Sequence, residues 1–320
     1  MGRRTGNIKD YLGVKLRMFL SDFDYNFFQV IRDGEFAVLG QLYSEVPYKY
    51  LAFAESEPFL KTACDKENVS CIVCTEELSS LDCLRNTGKG IAVSKFPRAA
   101  FFYLHNWLTK NQEGYMPDLE NTAIGRNCKI DSTAHIAEKG VKIGNNVTIE
   151  EFAVIRPGTV IGDNAVIRSG AIIGGSNQVL FQDENGGLCK IVQSGRTELA
   201  DHIEVGYHAL VARGVFPYEM TKIGDRCYID YGVAIDHNCR IGKNVKVLAC
   251  SQVCGNTEVG DGVTISPGAV ISNRLKIGED ASVTIGSVVV NNVKKGMKVA
   301  GNFAVEHSRF LLWHRKKLLK

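Results

Sequence analysis

From Ile223 to Val289 an aliphatic residue stands at every sixth position: Ile223, Ile229, Ile235, Ile241, Val247, Val253, Val259, Ile265, Ile271, Ile277, Val283 and Val289. Helices repeat near 3.6 residues and strands near 2, so a period of six belongs to neither alone. It suits a coil with three six-residue sides. The position four past each aliphatic is small or β-branched at Cys227, Val233, Cys239, Val245, Ser251, Thr257, Val263, Ala269, Ala281 and Ser287, with Leu275 the large exception. Glycine adds a third register at Gly206, Gly224, Gly242, Gly260 and Gly278, eighteen residues apart. Eighteen is one triangular turn, and a glycine once per turn predicts a corner with φ > 0. The three nested periods predict a mainly β fold, a left-handed parallel β-helix of hexapeptide repeats.

The same pattern runs upstream through Ile143, Ile149, Ile155, Ile161, Ile167 and Ile173, and begins at Ile124, Ile130 and Ile136 with a one-residue slip near Gly140. It lapses from Gly174 to about Glu198, then returns in phase at Leu199, Val205 and Val211. Residues 174–198 therefore read as a loop thrown out of the coil, and long ordered loops on a rigid repeat are usually functional. Pro217 breaks one inward position, because proline has no N–H to give the ladder.

The β-helix domain is expected over residues 116–300. Residues 1–115 lack the period and read as a small α/β domain, with strands at Glu35–Tyr43 and Ser70–Thr75 and helices at Pro58–Cys64 and Pro97–Lys110. Such a domain caps the open first coil, whose free edge needs cover, and can hold one end of a substrate. Residues 301–320 read as a short basic C-terminal helix carrying Phe310, Leu311, Trp313 and Leu318 beside Arg309, Arg315, Lys316, Lys317 and Lys320.

Composition narrows the partners. The chain has 320 residues and a net charge of +3, which demands neither nucleic acid nor a membrane surface. Met1 to Leu20 holds no apolar run, so neither a signal peptide nor stable membrane insertion is expected, and the location expected is cytoplasmic. Ten cysteines in such a chain read as reduced packing residues. Cys71 and Cys74 form a CxxC in an apolar strand context with no second ligand pair, so no metal is expected there.

A coil filled by its inward side chains has no interior cavity, so chemistry must lie on its outer faces, in grooves between subunits of a homotrimer. Among seven histidines, His237 alone lies within an unbroken run, and one turn further, 237 + 18 = 255, stands Gly255. An imidazole beside an unhindered backbone amide offers a base and an oxyanion donor, the pair that acyl transfer needs. Asp230 and Asp236 are candidates to orient the imidazolium, or else corner residues. A zinc hydratase would need histidines on neighbouring coils, and 237 ± 18 gives Glu219 and Gly255. An inert scaffold is the remaining rival.

At these residues the chain resembles the UDP-3-O-acylglucosamine N-acyltransferases of lipid A synthesis and related sugar-nucleotide N-acyltransferases. The likeness runs from about Ile124 to Asn302. It is carried by Ile229-Asp230 followed by Ile235-Asp236-His237-Asn238, by Ala212-Arg213-Gly214 before Thr221-Lys222-Ile223-Gly224-Asp225, and by Asn185-Gly186-Gly187 with Gly195-Arg196 in the loop. The resemblance implies catalytic roles for His237 as base and Gly255 as oxyanion amide, with Asp230 beside them. It also implies a substrate-binding set of Phe53, Ser56, Phe59, Asn238 and Arg274. Arg274 replaces a second histidine of the family, and Ser56 and Phe59 replace the asparagine and tyrosine that accompany a uracil-stacking aromatic, here Phe53. The implied activity is transfer of an acyl group from acyl-CoA or acyl carrier protein to a nucleotide-linked amino sugar, with no tightly bound cofactor. The altered readers favour a thymidine-diphosphate 4-amino-4,6-dideoxy sugar, with the lipid A precursor as the alternative.

Overall fold

The computed structural model describes residues 16–43, 45–46, 48–301 and 304–318. Two units form. One comprises the described residues up to Glu120 together with 176–196 and 213–220; the other comprises 121–175, 197–212 and residues from 221 onward.

The second unit is the left-handed β-helix. Its short strands fall into three parallel walls of eight, nine and eight strands. In register the pairing follows the sequence period: Ile223 lies on Ile241, Ile229 on Val247 and Ile235 on Val253, each eighteen residues on. The aliphatic and small registers point inward and form one continuous buried column. Each strand contributes two to four residues, and the next begins after a corner, so burial comes from stacking coil on coil.

The eighteen-residue glycines are explained differently from the sequence reading. Gly206, Gly224, Gly242, Gly260 and Gly278 do not have positive φ; the left-handed residue sits two positions later in each coil, as His208, Arg226, Asn244, Gly262 and Asp280. Glycine is needed because the next coil passes too close. A Cβ at Gly206 would lie 2.6 Å from the Asp230 carbonyl carbon, and one at Gly224 would lie 2.5 Å from the Gly242 oxygen.

The walls differ outside. Outward positions of the first wall carry Lys222, Arg240, Glu258 and Lys276, with Lys222 paired to Glu198 at 2.8 Å and Lys276 to Glu258 at 3.2 Å. The second wall is polar and holds Arg168 between Glu150 and Glu204, both at 2.7 Å. The third wall presents His135, Val154, Ile172, Leu210, Ala234, Gln252, Val270 and Val288 in register, apolar at six of eight positions.

In the first unit a five-stranded sheet is ordered Gln29–Arg32, Gly90–Val93, Val69–Cys74, Tyr50–Ala54, Val38–Leu39, antiparallel only at the first pair. Cys71 and Cys74 are buried free thiols in its central strand. The helix Pro97–Asn111 packs on this sheet and also receives the loop. That loop is an antiparallel hairpin, Leu180–Gln182 with Leu188–Lys190, whose turn is closed by Asp183 accepting from the Asn185 and Gly187 amides at 2.8 and 2.7 Å. Phe181 meets Phe102 and Tyr103 at 5.6 and 5.1 Å between ring centroids. His105, fully buried, bonds Tyr115 Oη at 2.9 Å and the Val192 carbonyl at 2.8 Å, and burial pushes its pKa down to about 4.

A second excursion, Arg213 to Met220, belongs to this unit as well. Phe216 packs on Phe101 and His105, and Tyr218 Oη donates to the Leu39 carbonyl at 3.1 Å. The sequence reading recognised the broken inward position at Pro217 but not that the chain leaves the coil there. The C-terminal helix spans His307–Leu318 with Leu311 and Leu312 exposed. Among the described residues no helix is long and apolar enough to cross a membrane.

Candidate active site

His237 follows the third-wall strand Ala234–Ile235 and precedes the first-wall strand Arg240–Ile241, so it stands at the corner joining those walls. The corner is set by its neighbours. Asp236 N–H bonds the Val253 carbonyl at 2.9 Å, and Asn238, left-handed at φ 59°, gives its N–H to Thr221 Oγ1 at 2.9 Å. One coil on, Asn256 N–H bonds the His237 carbonyl at 2.9 Å, and a further coil on, Arg274 N–H bonds the Gly255 carbonyl at 3.0 Å. The structure thus brings His237, Asn238, Gly255 and Arg274 together.

Gly255 is required by space. A Cβ built there would lie 2.5 Å from both Cε1 and Nε2 of His237 and 3.0 Å from Cδ2. The imidazole therefore lies edge-on over the bare α-carbon. The ladder runs from Cys254 N–H to the Ile271 carbonyl and from Asn256 N–H to the His237 carbonyl, and no hydrogen bond among the described residues is drawn from Gly255 N–H. A neutral ring beside an uncommitted amide can take a proton and steady an oxyanion without rearrangement.

The ring is held neutral. Burial, and then the positive charge of Arg274, push the His237 pKa from 6.5 down to about 4. Burial disfavours the charged imidazolium, and a nearby cation disfavours it further.

Asp230 lies elsewhere. Its carboxylate accepts the Tyr231 amide at 2.8 Å and the Ala249 amide at 3.2 Å, which makes it a corner residue of the second wall. Six residues along a triangular coil is one whole side, so nearness in sequence to His237 does not become contact. Two residues absent from the sequence-based set do belong at the corner: Thr221, buried beneath Asn238, and Asn256, whose Nδ2 stands 3.4 Å from His237 Nε2. The signal for Asn256 was available, since 238 + 18 = 256 repeats the arithmetic that picked out Gly255.

Within the first unit, Phe53 is the next-to-last residue of the strand Tyr50–Ala54, with its ring half-buried against Phe101 and Phe102 at 5.0 and 5.9 Å. Ser56 precedes the helix Glu57–Asp65 without capping it by its hydroxyl, and Phe59 on that helix is 59% exposed. Beside them opens a cleft of about 640 Å³ lined by Glu55, Phe96 and Arg98 from the domain and by Phe181, Glu184 and Leu188 from the hairpin. No period marks these charged loop residues, so the sequence reading passed over them. Among the described residues no group of three or more His, Cys, Asp or Glu side chains is placed to hold a metal ion.

Comparison with known proteins bears on the coil. The family described as bacterial transferase hexapeptide (six repeats) matches residues 140–175 and 238–273. A UDP-3-O-acylglucosamine N-acyltransferase from Coxiella burnetii is 32% identical over 42% of this chain, and the match spans 45% of that relative. The protein of the same description from Dechloromonas aromatica is 39% identical over 26% of this chain and 23% of its own length. Among solved structures, a UDP-N-acetylglucosamine acyltransferase from Campylobacter jejuni aligns over 61% of this chain and 79% of its own with a TM-score of 0.51 at 22% identity, a likeness of fold. The chain spans about half the length of the first of these relatives. Over the matched residues its coil is similar to the bacterial transferase hexapeptide repeats, and in sequence it is similar to the UDP-3-O-acylglucosamine N-acyltransferases.

Proposed function

We propose that the protein is an N-acyltransferase that moves an acyl group from a thioester, acyl-CoA or acyl carrier protein, to the amine of a nucleotide-linked amino sugar. The observation that supports this best is a neutral imidazole lying edge-on over the bare Gly255. In this reading the sugar amine attacks the thioester carbonyl, and its N–H proton passes to His237. The Gly255 N–H receives the oxyanion, a contact worth on the order of 10²–10³ in rate. The C–S bond breaks as the intermediate collapses, and the proton moves on to the leaving thiolate.

A base with a pKa of about 4 is poised low for an amine. The nucleotide diphosphate answers this: its charge beside Arg274 offsets the guanidinium and raises the basicity of His237 when substrate is bound. Arg274 is then a phosphate contact that couples binding to proton transfer.

The relatives are described as acting on UDP-3-O-acylglucosamine, which favours a uridine-diphosphate amino sugar here. A thymidine-diphosphate 4-amino-4,6-dideoxy sugar is the second reading, supported by Phe59, which offers an exposed apolar face where a polar reader of uracil would donate. The reading also includes a homotrimer in a cytoplasmic setting. The apolar outer row of the third wall supports it: six apolar positions in register form a stripe that a second copy would bury, and His237 lies at the stripe's edge.

The test is acyl transfer by the purified protein, supplied with UDP-linked and dTDP-linked amino sugars and with acyl-CoA or acyl carrier protein. Thiol release and product mass are followed. The expected result is an amide product that His237→Ala reduces by about 10²-fold or more. Absence of transfer to every nucleotide amino sugar overturns the reading.

A further inference from the structure

The corners of the coil carry asparagine ladders with a direction. Asn127 Nδ2 donates to Asn146 Oδ1 at 3.3 Å, and Asn146 Nδ2 to Asn164 Oδ1 at 3.1 Å; all three residues are left-handed. The middle amide, Asn146, accepts from the coil before and donates to the coil after. The column at the candidate active site begins in the same way, with Asn238 Nδ2 donating to Asn256 Oδ1 at 3.1 Å. Its next rung is residue 274, an arginine in the same left-handed conformation, φ 61°. A guanidinium has five donors and no acceptor, so it cannot take the next bond of the ladder. The Asn256 amide, its oxygen already committed to Asn238, points its Nδ2 to His237 Nε2 at 3.4 Å instead.

We propose that Asn256 is a positioning residue that sets the tautomer of His237: its amide N–H rests on Nε2, the ring proton stays on Nδ1, and the Nε2 lone pair is kept toward Gly255. Which ring nitrogen carries the proton follows from the bond made at the other, and here the partner is a donor. At 3.4 Å the bond is weak enough to be exchanged. An incoming amine N–H then replaces the Asn256 N–H on the same lone pair, and the proton that leaves the amine bonds to Nε2. Arg274 contributes by ending the ladder, which frees the Asn256 donor for His237. The exchange step rests on the acyltransferase reading; the tautomer does not.

The test uses the full chain labelled with ¹⁵N-histidine and long-range proton–nitrogen correlation, with the His237 signals identified by their loss in His237→Gln. The expected wild-type pattern has a protonated Nδ1 and a bare Nε2. Asn256→Ala should mix the two tautomers. Asn256→Asp, nearly isosteric and an acceptor, should move the proton to Nε2. Arg274→Asn, which restores an acceptor at the next rung, should shift the pattern in the direction of Asn256→Ala. In turnover, Asn256→Ala should lower kcat about tenfold with KM within about twofold, because the lost alignment acts on proton transfer. A wild-type proton on Nε2, or a tautomer unmoved in both Asn256 variants, overturns the proposal. A tautomer that responds in a protein without transferase activity keeps Asn256's role and removes the proposed function. Transferase activity with an unmoved tautomer does the reverse.

Discussion

Replacing Gly255 with alanine tests the site at its tightest point. The added methyl would stand 2.5 Å from Cε1 and Nε2 of His237, whereas carbon and nitrogen pack comfortably at about 3.5–4.0 Å. The imidazole must therefore retreat by about 1 Å. Gly255 does not have positive φ, so the backbone accepts alanine, and the clash is with a side chain rather than with the next coil. Overpacking of this kind costs about 1–3 kcal/mol, and the coil should remain folded. A misplacement of about 1 Å at a reacting group costs on the order of 10²-fold in rate. Initial rates of thiol release with both substrates saturating would measure it, beside a thermal melt to show that the fold persists. The double variant separates causes. If the added methyl acts only by moving the ring, then Gly255→Ala should add nothing once His237→Ala is in place. A folded Gly255→Ala protein with kcat within twofold of wild type would refute the argument.

Other outcomes follow from the charges and walls. With His237 at about 4, kcat/KM should stay flat from about pH 8 to 5 and fall as pH drops through about 4, and Arg274→Ala should move that limb upward; a wild-type limb near 6.5 would contradict the burial argument. His105 titrates at about 4 when folded and near 6.5 when unfolded, so only the unfolded chain takes its proton between those values. The stability this contributes is present above pH 6.5 and lost on acidification toward 4, about 3 kcal/mol in all, read as a falling urea midpoint that His105→Gln should flatten. Ala234→Asp or Val270→Asp on the third wall should reduce the sedimenting mass toward a monomer and abolish transfer, and an unchanged mass would move the interface to another wall.

The coil was legible because a filled interior forces the same side-chain sizes at the same positions every six residues. Twelve aliphatics in phase leave little freedom in fold, and the lapse after Gly174 marked the hairpin equally well. What a period cannot express is why a residue recurs. Gly224 and Gly242 looked like corner glycines, yet their φ is ordinary and their hydrogen side faces the backbone of the next coil. The left-handed corners are held by asparagine, arginine, histidine, aspartate, glycine, phenylalanine and cysteine, and no single residue type recurs there through the whole coil. Of the two readings of Asp230 the structure keeps the corner residue and not the partner of His237: the triangle puts the neighbours of a residue eighteen positions away. The same rule, applied to Asn238, would have found Asn256.

The position of the site has a physical logic. Both excursions of the chain leave the coil directly after third-wall strands, at Gly175 and at Ala212, and His237 stands after the third-wall strand that follows them. A corner tolerates insertion because it contributes little to the inward column, while a strand position cannot change without breaking the ladder on both sides. The corner after the third wall is also where the outer surface changes from apolar to charged, from Ala234 to Arg240. The acyl group and the nucleotide diphosphate of the proposed reaction would need such a change of surface within a few ångströms. The regular coil supplies rigidity, and the departures from regularity at one column of corners would supply the proposed chemistry: a histidine, a glycine too small to displace it, and an arginine that ends an asparagine ladder.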